Sequence, residues 1–218
     1  MKGFLKKILF GTKRPHTILM GVSAGMKVDY DPGDRSLHLL GLYEREIYPF
    51  FRRSSAKAAT LIDIGANDGY YALAFAKHKN KKIVLCEPGE EKEKLRKNMS
   101  LNGFVEHRDF EVVEKFVSDT TNDTNISISE LVKDQKNIFI LMDVDGGEQR
   151  IIEQWAIDPT TTIDWLIETH SLAFEENITR ILTRLGYQVT IIPNAWWRKF
   201  IPEKRPLAHN RWMYAVKN

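Results

Sequence analysis

Five residues carry the chemical potential of this chain: Asp63, Glu87, Asp143, Glu168 and His170. Each lies within or at the end of an apolar run. Asp63 falls in the run 59–64, and Gly65 and Gly69 bracket a tight turn behind it before Tyr70 and Tyr71 open a helical stretch. A strand, a glycine turn and a helix start let a backbone approach a nucleotide-like ligand closely. The acid decides which ligand. A turn that cradles phosphate wants bare amides and positive charge, whereas Asp63 with Asp68 repels a pyrophosphate. The pair suits a ligand with an ammonium group, such as the methionine end of S-adenosylmethionine (SAM). Glu87 follows at the end of the run 82–87. A carboxylate roughly 20 positions beyond a glycine turn can take both hydroxyls of a ribose.

Asp143 and Asp145 lie in and just after the run 138–144, and Glu168 and His170 close the run 165–169. Asp143, Glu168 and His170 suit either a hard oxygen and nitrogen site for a divalent metal or a general base for an acceptor hydroxyl. His170 has the ordinary pKa nearest neutrality. A divalent metal is compatible with this trio, and none is assigned.

The elements that position these residues alternate from residue 58 onward. Strands are expected over 59–64, 82–87, 111–118, 138–144, 165–169, 187–192 and 211–216, with helices over 69–78, 88–103 and 174–185 and one starting near Gly147. Pro88 suits a first helical turn, and Ser127 and Ser129 offer cap chemistry for a short helix over 126–132. Such alternation predicts a parallel sheet with crossover helices. The last two strands have no helix between them, so they are expected to pair antiparallel at the sheet edge. In open sheets of this kind ligands bind beyond the carboxyl ends of the strands, where all five residues fall. Residues 1–57 read as an N-terminal extension packed on the core, with a turn at Asp31-Pro32-Gly33 and a helix over 39–53.

Composition bounds the function. With 218 residues, 43% of them apolar, the chain is sized for one α/β domain with a sizeable core. A net charge of +3 gives no global case for DNA. Basic residues do cluster over 2–14 and 198–211. The first cluster, with Phe4, Leu5, Ile8 and Leu9, has the pattern of a short basic amphipathic helix, which either packs on the domain or rests weakly on an anionic membrane. The loop 193–210, with Trp196, Trp197, Arg198, Lys199, Phe200, Lys204, Arg205 and His209, suits stacking on a sugar or planar ring. The same mix suits single-stranded nucleic acid. One cysteine, Cys86, fits a reducing compartment and reads as a small buried residue, so a cytoplasmic protein is expected.

The stretch Asp63-Ile-Gly-Ala-Asn-Asp-Gly-Tyr-Tyr71 resembles the first motif of class I SAM-dependent methyltransferases, and Glu87-Pro88 resembles the second. Leu141-Met-Asp-Val-Asp-Gly-Gly-Glu148 resembles the signature of the FkbM-type methyltransferases. Gly41-Leu-Tyr-Glu44, Ser127-Ile-Ser-Glu-Leu131 and Ile167-Glu-Thr-His170 agree with that subgroup. The resemblance implies a Rossmann-like fold with a mostly parallel seven-stranded sheet and an antiparallel last strand, preceded by an N-terminal helical extension. It implies SAM as cofactor and O-methylation of a sugar, glycolipid or natural-product hydroxyl. Residue by residue, it places Asp63, Gly65, Ala66, Asn67, Gly69 and Tyr70 around the methionine end. It places Glu87 and Pro88 at the ribose, Ser118 and Asp119 near the adenine, and Glu44 as a closing residue. Asp143, Asp145, Glu148, Glu168 and His170 then face the acceptor, with Asp143 also bordering the cofactor. Asp145, Gly147 and Met142 depart from the usual glutamate, alanine and basic or polar residue.

Three other readings compete. A nicotinamide-dependent oxidoreductase has a similar sheet, but Asp63 and the missing third glycine oppose it. A non-catalytic binding module could keep the SAM fold. An RNA methyltransferase could use the basic aromatic loop and would bind with steep salt dependence.

Overall fold

The computed structural model describes residues 11, 14–157, 159, 161–196 and 209–217. The N-terminal arm begins with an antiparallel pair, β1 (His16–Thr17) and β2 (Lys27–Val28). Helix α1 (Pro32–Leu40) follows, capped by the Asp31 carboxylate, which accepts from Gly33 N–H. A 3-10 turn (Arg45–Ile47) leads into α2 (Tyr48–Lys57). The helix expected over 39–53 is thus two helices. Gly41 ends α1 in the left-handed region at φ 69°, and a Cβ there would meet Met20 O at 1.8 Å. Glu44 also sits at positive φ, and Pro49, in the first turn of α2, restarts the helix.

The rest of the described chain alternates as its sequence pattern requires. Strand β3 (Thr60–Ile64) leads through the glycine turn to α3 (Tyr70–Ala76), and β4 (Lys82–Cys86) leads to α4 (Glu91–Ser100). Then come β5 (Glu111–Val113), β6 (Phe116–Ser118), β7 (Asn125–Ser127), α5 (Ile128–Val132), β8 (Ile138–Met142) and α6 (Glu148–Trp155). Last are β9 (Ile163–Thr169), α7 (Leu172–Arg184), β10 (Gln188–Ile192) and β11 (Arg211–Val216).

Seven strands form one sheet in the order β10-β11-β9-β8-β3-β4-β5. Strand β11 runs antiparallel to both β10 and β9, and the other neighbours pair parallel. The antiparallel strand therefore inserts inside the sheet, and β10 is the edge. Side chains alternate between two buried faces, as parallel strands covered on both sides require. Leu61, Leu85, Phe139, Leu141, Leu166 and Trp212 pack under the N-terminal arm and α3, against Ile18, Leu39, Ile47, Phe51 and Phe75. Ile62, Ile64, Ile140, Trp165, Ile167 and Met213 pack under α6 and α7, against Ile152, Trp155, Ile178 and Leu182. Cys86 lies buried and unpaired on this second face.

Two further expectations need correction. The strand expected over 111–118 breaks after Val113, and β6 joins β7 in a separate parallel pair. Glu114 sits at the break, bound to Arg96 at 2.6 Å and Lys92 at 2.8 Å on α4. Pro88 does not start a helix either. The Glu87 carboxylate accepts from Gly89 N–H at 2.8 Å, which holds a turn there and delays α4 to Glu91. No helix among the described residues is long and apolar enough to cross a membrane. Residues 1–10 and 197–208, which carry the expected membrane contact and most of the basic aromatic loop, lie outside the described residues.

Candidate active site

Strand order reverses between β3 and β8, so the connections that leave their carboxyl ends run to opposite faces of the sheet and open the crevice where ligands bind in such sheets. Asp63 and Gly65 come from the first end and Asp143 from the second. The backbones touch here: Asp143 N–H donates to Ile64 O at 2.9 Å, and Gly65 N–H donates to Cys86 O at 3.0 Å. Gly65 has φ 83°, and a Cβ on it would meet Asp143 O at 2.0 Å. Only glycine fits that approach.

A cavity of about 60 Å³ opens at this point. It has room for about two waters, the scale of an amino-acid head group rather than of a nucleoside. Sequence-expected residues lining it are Glu44, Asp63, Gly65, Ala66, Asn67, Tyr70 and Asp143. Asp63 is 1% exposed, and its Oδ1 is buried with no hydrogen-bond partner. Burial pushes its carboxyl well above the usual range, and the nearby Asp143, Glu87 and Asp68 push the same way. A cationic group placed against this buried acid would satisfy the unmet oxygen and restore its charge. These residues fit the ammonium end of SAM.

Glu87 stands beside the cavity. Its Oε2 accepts from Asn67 N–H and its Oε1 from Gly89 N–H, both at 2.8 Å. The carboxylate therefore ties β4 to the glycine turn and stays half-buried, with lone pairs left for hydroxyls. Gly69, at φ 83°, caps the start of α3. Pro88, Ser118 and Asp119 do not line the cavity. Ser118 and Asp119 lie at the end of β6, where Asp119 pairs with Arg150 at 2.6 Å.

The arm supplies lining that sequence reasoning missed. Arg35, His38 and Tyr43 line the cavity, joined by Trp212 from β11. Glu44, 1% exposed, accepts from Tyr71 OH at 2.8 Å and from Trp212 Nε1 at 3.2 Å. One glutamate thus fastens the arm to α3 and to the antiparallel strand. The upstream Leu-Tyr-Glu was the only signal for this contact.

The second group sits next door. His170 Nε2 lies 3.5 Å from Asp143, 3.4 Å from Asp145 and 3.8 Å from Glu168. On the other side of the ring, Nδ1 lies 3.2 Å from Glu148 Oε1, which also accepts from His170 N–H at 2.9 Å. Glu148 is fully buried in the first turn of α6. Burial pulls the His170 pKa down, but the bond to Glu148 and the charges of Glu148, Asp143 and Asp145 outweigh it and hold the imidazole above its ordinary value. Such a ring can take a proton at Nε2 near neutral pH. Donor atoms of Asp143, Glu168 and His170 lie within 4.8 Å of one another, a span over which one divalent cation could gather them.

No protein-family model and no curated protein matches the chain. Solved structures do resemble it. The delta-N METTL16 MTase domain is 13% identical, with 99% of this chain and 93% of that one covered and a TM-score of 0.55. A SAM-dependent O-methyltransferase from Thermotoga maritima is 15% identical over 80% of this chain and 65% of its own, with a TM-score of 0.52. Precorrin-6y C5,15-methyltransferase from Geobacter metallireducens GS-15 is 17% identical over 78% and 89%, with a TM-score of 0.50. At such identities the likeness shows the fold: this chain has the Rossmann-like fold of class I methyltransferases.

Proposed function

We propose that this chain is a SAM-dependent methyltransferase of the FkbM type, acting on a hydroxyl oxygen of a sugar, glycolipid or small natural product. The observation that carries the reading is Asp63: a buried carboxylate with an unmet oxygen, at the glycine turn of a methyltransferase-like sheet. Asp63 holds the ammonium group, the backbone at Gly65 lets the ligand approach, and Glu87 takes the ribose hydroxyls. Bound SAM supplies an electrophilic methyl group on a sulfonium centre.

The remaining work belongs to the chain. Asp143 and Glu168 orient the acceptor, and His170 Nε2 takes its hydroxyl proton. Glu148 keeps the other nitrogen, Nδ1, turned away and stabilises the imidazolium that results. Holding the acceptor oxygen in place would supply much of the rate, and base assistance would add roughly 10²- to 10⁴-fold. The donor spacing of Asp143, Glu168 and His170 favours a second reading of the proton step, in which a divalent cation lowers the acceptor's pKa.

The test is transfer of labelled methyl from SAM to a panel of hydroxylated glycans and small polyols, with NADH titration alongside. Labelled ether product supports the reading. SAM binding without transfer to any acceptor favours a binding module, and NADH binding without SAM binding favours an oxidoreductase.

A further inference from the structure

Arg35 is the only arginine or lysine among the described residues that line the Asp63 cavity, where the acidic lining residues are Glu44, Asp63, Asp68 and Asp143. It enters from α1, at a residue whose backbone leaves helical geometry (φ −109°, ψ 28°). Its guanidinium is already placed. Nη2 lies 3.1 Å from Asp68 Oδ2 and 3.3 Å from Asn67 Oδ1, and Nη1 lies 3.3 Å from His38 Nε2. Asp68 is itself fixed, accepting from Tyr30 OH at 2.6 Å and only 3% exposed. These contacts hold the fork from one side. The side chain remains one-third exposed, and an arginine has five N–H donors to share.

A cavity of amino-acid-head size with an unmet carboxylate and a held guanidinium is complementary to a zwitterion, not to a plain cation. We propose that Arg35 binds the α-carboxylate of the cofactor's amino-acid end while Asp63 binds its ammonium, so that the N-terminal arm is part of the cofactor site. This rests on the SAM reading above and goes beyond it. The fold's own sheet supplies the cation receptor; the carboxylate receptor comes from outside the sheet, on a helix that precedes it.

The consequence is selectivity for the carboxylate. Calorimetric titration of the full chain with SAM and with decarboxylated SAM, for wild type, Arg35→Gln and Arg35→Lys, tests it. Wild type is expected to prefer SAM by about ten- to a hundredfold, the range of a charge-assisted hydrogen bond. Arg35→Gln should lose that preference and bind both ligands equally, with its affinity for decarboxylated SAM within about threefold of wild type. Arg35→Lys keeps a charge beside Asp68 and should retain part of the preference, which separates recognition from folding. Equal loss of both ligands in folded Arg35→Gln, or an unchanged preference for SAM, overturns the assignment. Wild type binding neither ligand overturns the SAM reading itself. Wild type binding both equally sinks only the role of Arg35.

Discussion

Glu148 Oε1 holds His170 twice, accepting from its backbone N–H at 2.9 Å and lying 3.2 Å from its Nδ1. The ring side chain is only 6% exposed, and its Nε2 faces Asp143, Asp145 and Glu168. A carboxylate at one nitrogen fixes the ring's tautomer and aim and leaves the other nitrogen to do chemistry.

Glu148→Gln keeps an acceptor for the backbone N–H but removes the charge. The His170 pKa then falls, because Glu148 supplies the largest upward pull on it. Activity requires the neutral imidazole, so the rising limb of the kcat/KM profile lies above pH 6.5 in the wild type and moves to lower pH in the variant. Transfer at neutral pH should drop roughly 10²-fold with SAM affinity unchanged. An unshifted limb would show that His170 is not the group titrating.

His170→Ala separates the two halves of the site, because His170 does not line the Asp63 cavity. The variant should bind SAM within a few-fold of wild type and lose methyl transfer by roughly 10²-fold or more. Stopped transfer with normal SAM calorimetry is the expected pattern; loss of SAM binding in His170→Ala would place the imidazole in the cofactor pocket instead.

Chelation decides between base and cation. With His170 as base, transfer survives dialysis against EDTA. Activity that collapses and returns with magnesium or manganese would assign the proton step to a cation held by Asp143, Glu168 and His170.

Asp63 links ligand binding to protons. Its folded pKa is raised, so the ligand-free protein keeps this proton to a higher pH than an ordinary carboxyl does, and over that range an ammonium ligand displaces it. SAM binding should release protons, seen as buffer-dependent binding enthalpy, and tighten as pH rises toward the raised pKa. The sign for stability is opposite. The unfolded chain gives up this proton near pH 3.9, so the ligand-free fold loses stability as pH rises from there toward the folded value. Asp63→Asn should therefore raise the ligand-free thermal midpoint, by about 2–4 °C for each kcal/mol relieved, while removing both SAM binding and proton release.

Gly65→Ala puts a Cβ 2.0 Å from Asp143 O at a φ of 83°. Backbone strain and overpacking together should cost about 2–4 kcal/mol. The check is a lower denaturation midpoint at unchanged slope.

Much of this site was legible in the sequence because strand ends collect the ligand groups of such sheets. Asp63, Glu87, Asp143 and His170 each follow an apolar run, and a one-dimensional pattern finds them. Arg35 and Trp212 were not legible. They lie far from the motifs along the chain, on an arm and on an antiparallel strand, and only the folded topology brings them to Asp63. Glu148 was placed facing the acceptor, but its grip on His170 depends on how α6 meets β9. The break after Val113 escaped notice because β6 changes its pairing partner from the main sheet to β7, which an apolar pattern cannot show.

The most direct test of the account is calorimetric titration of SAM into the wild-type chain and into Asp63→Ala, each first shown to be folded. The account predicts saturable binding to the wild type, with proton release, and none to the variant. Equal binding by both, or none by the folded wild type, would contradict it.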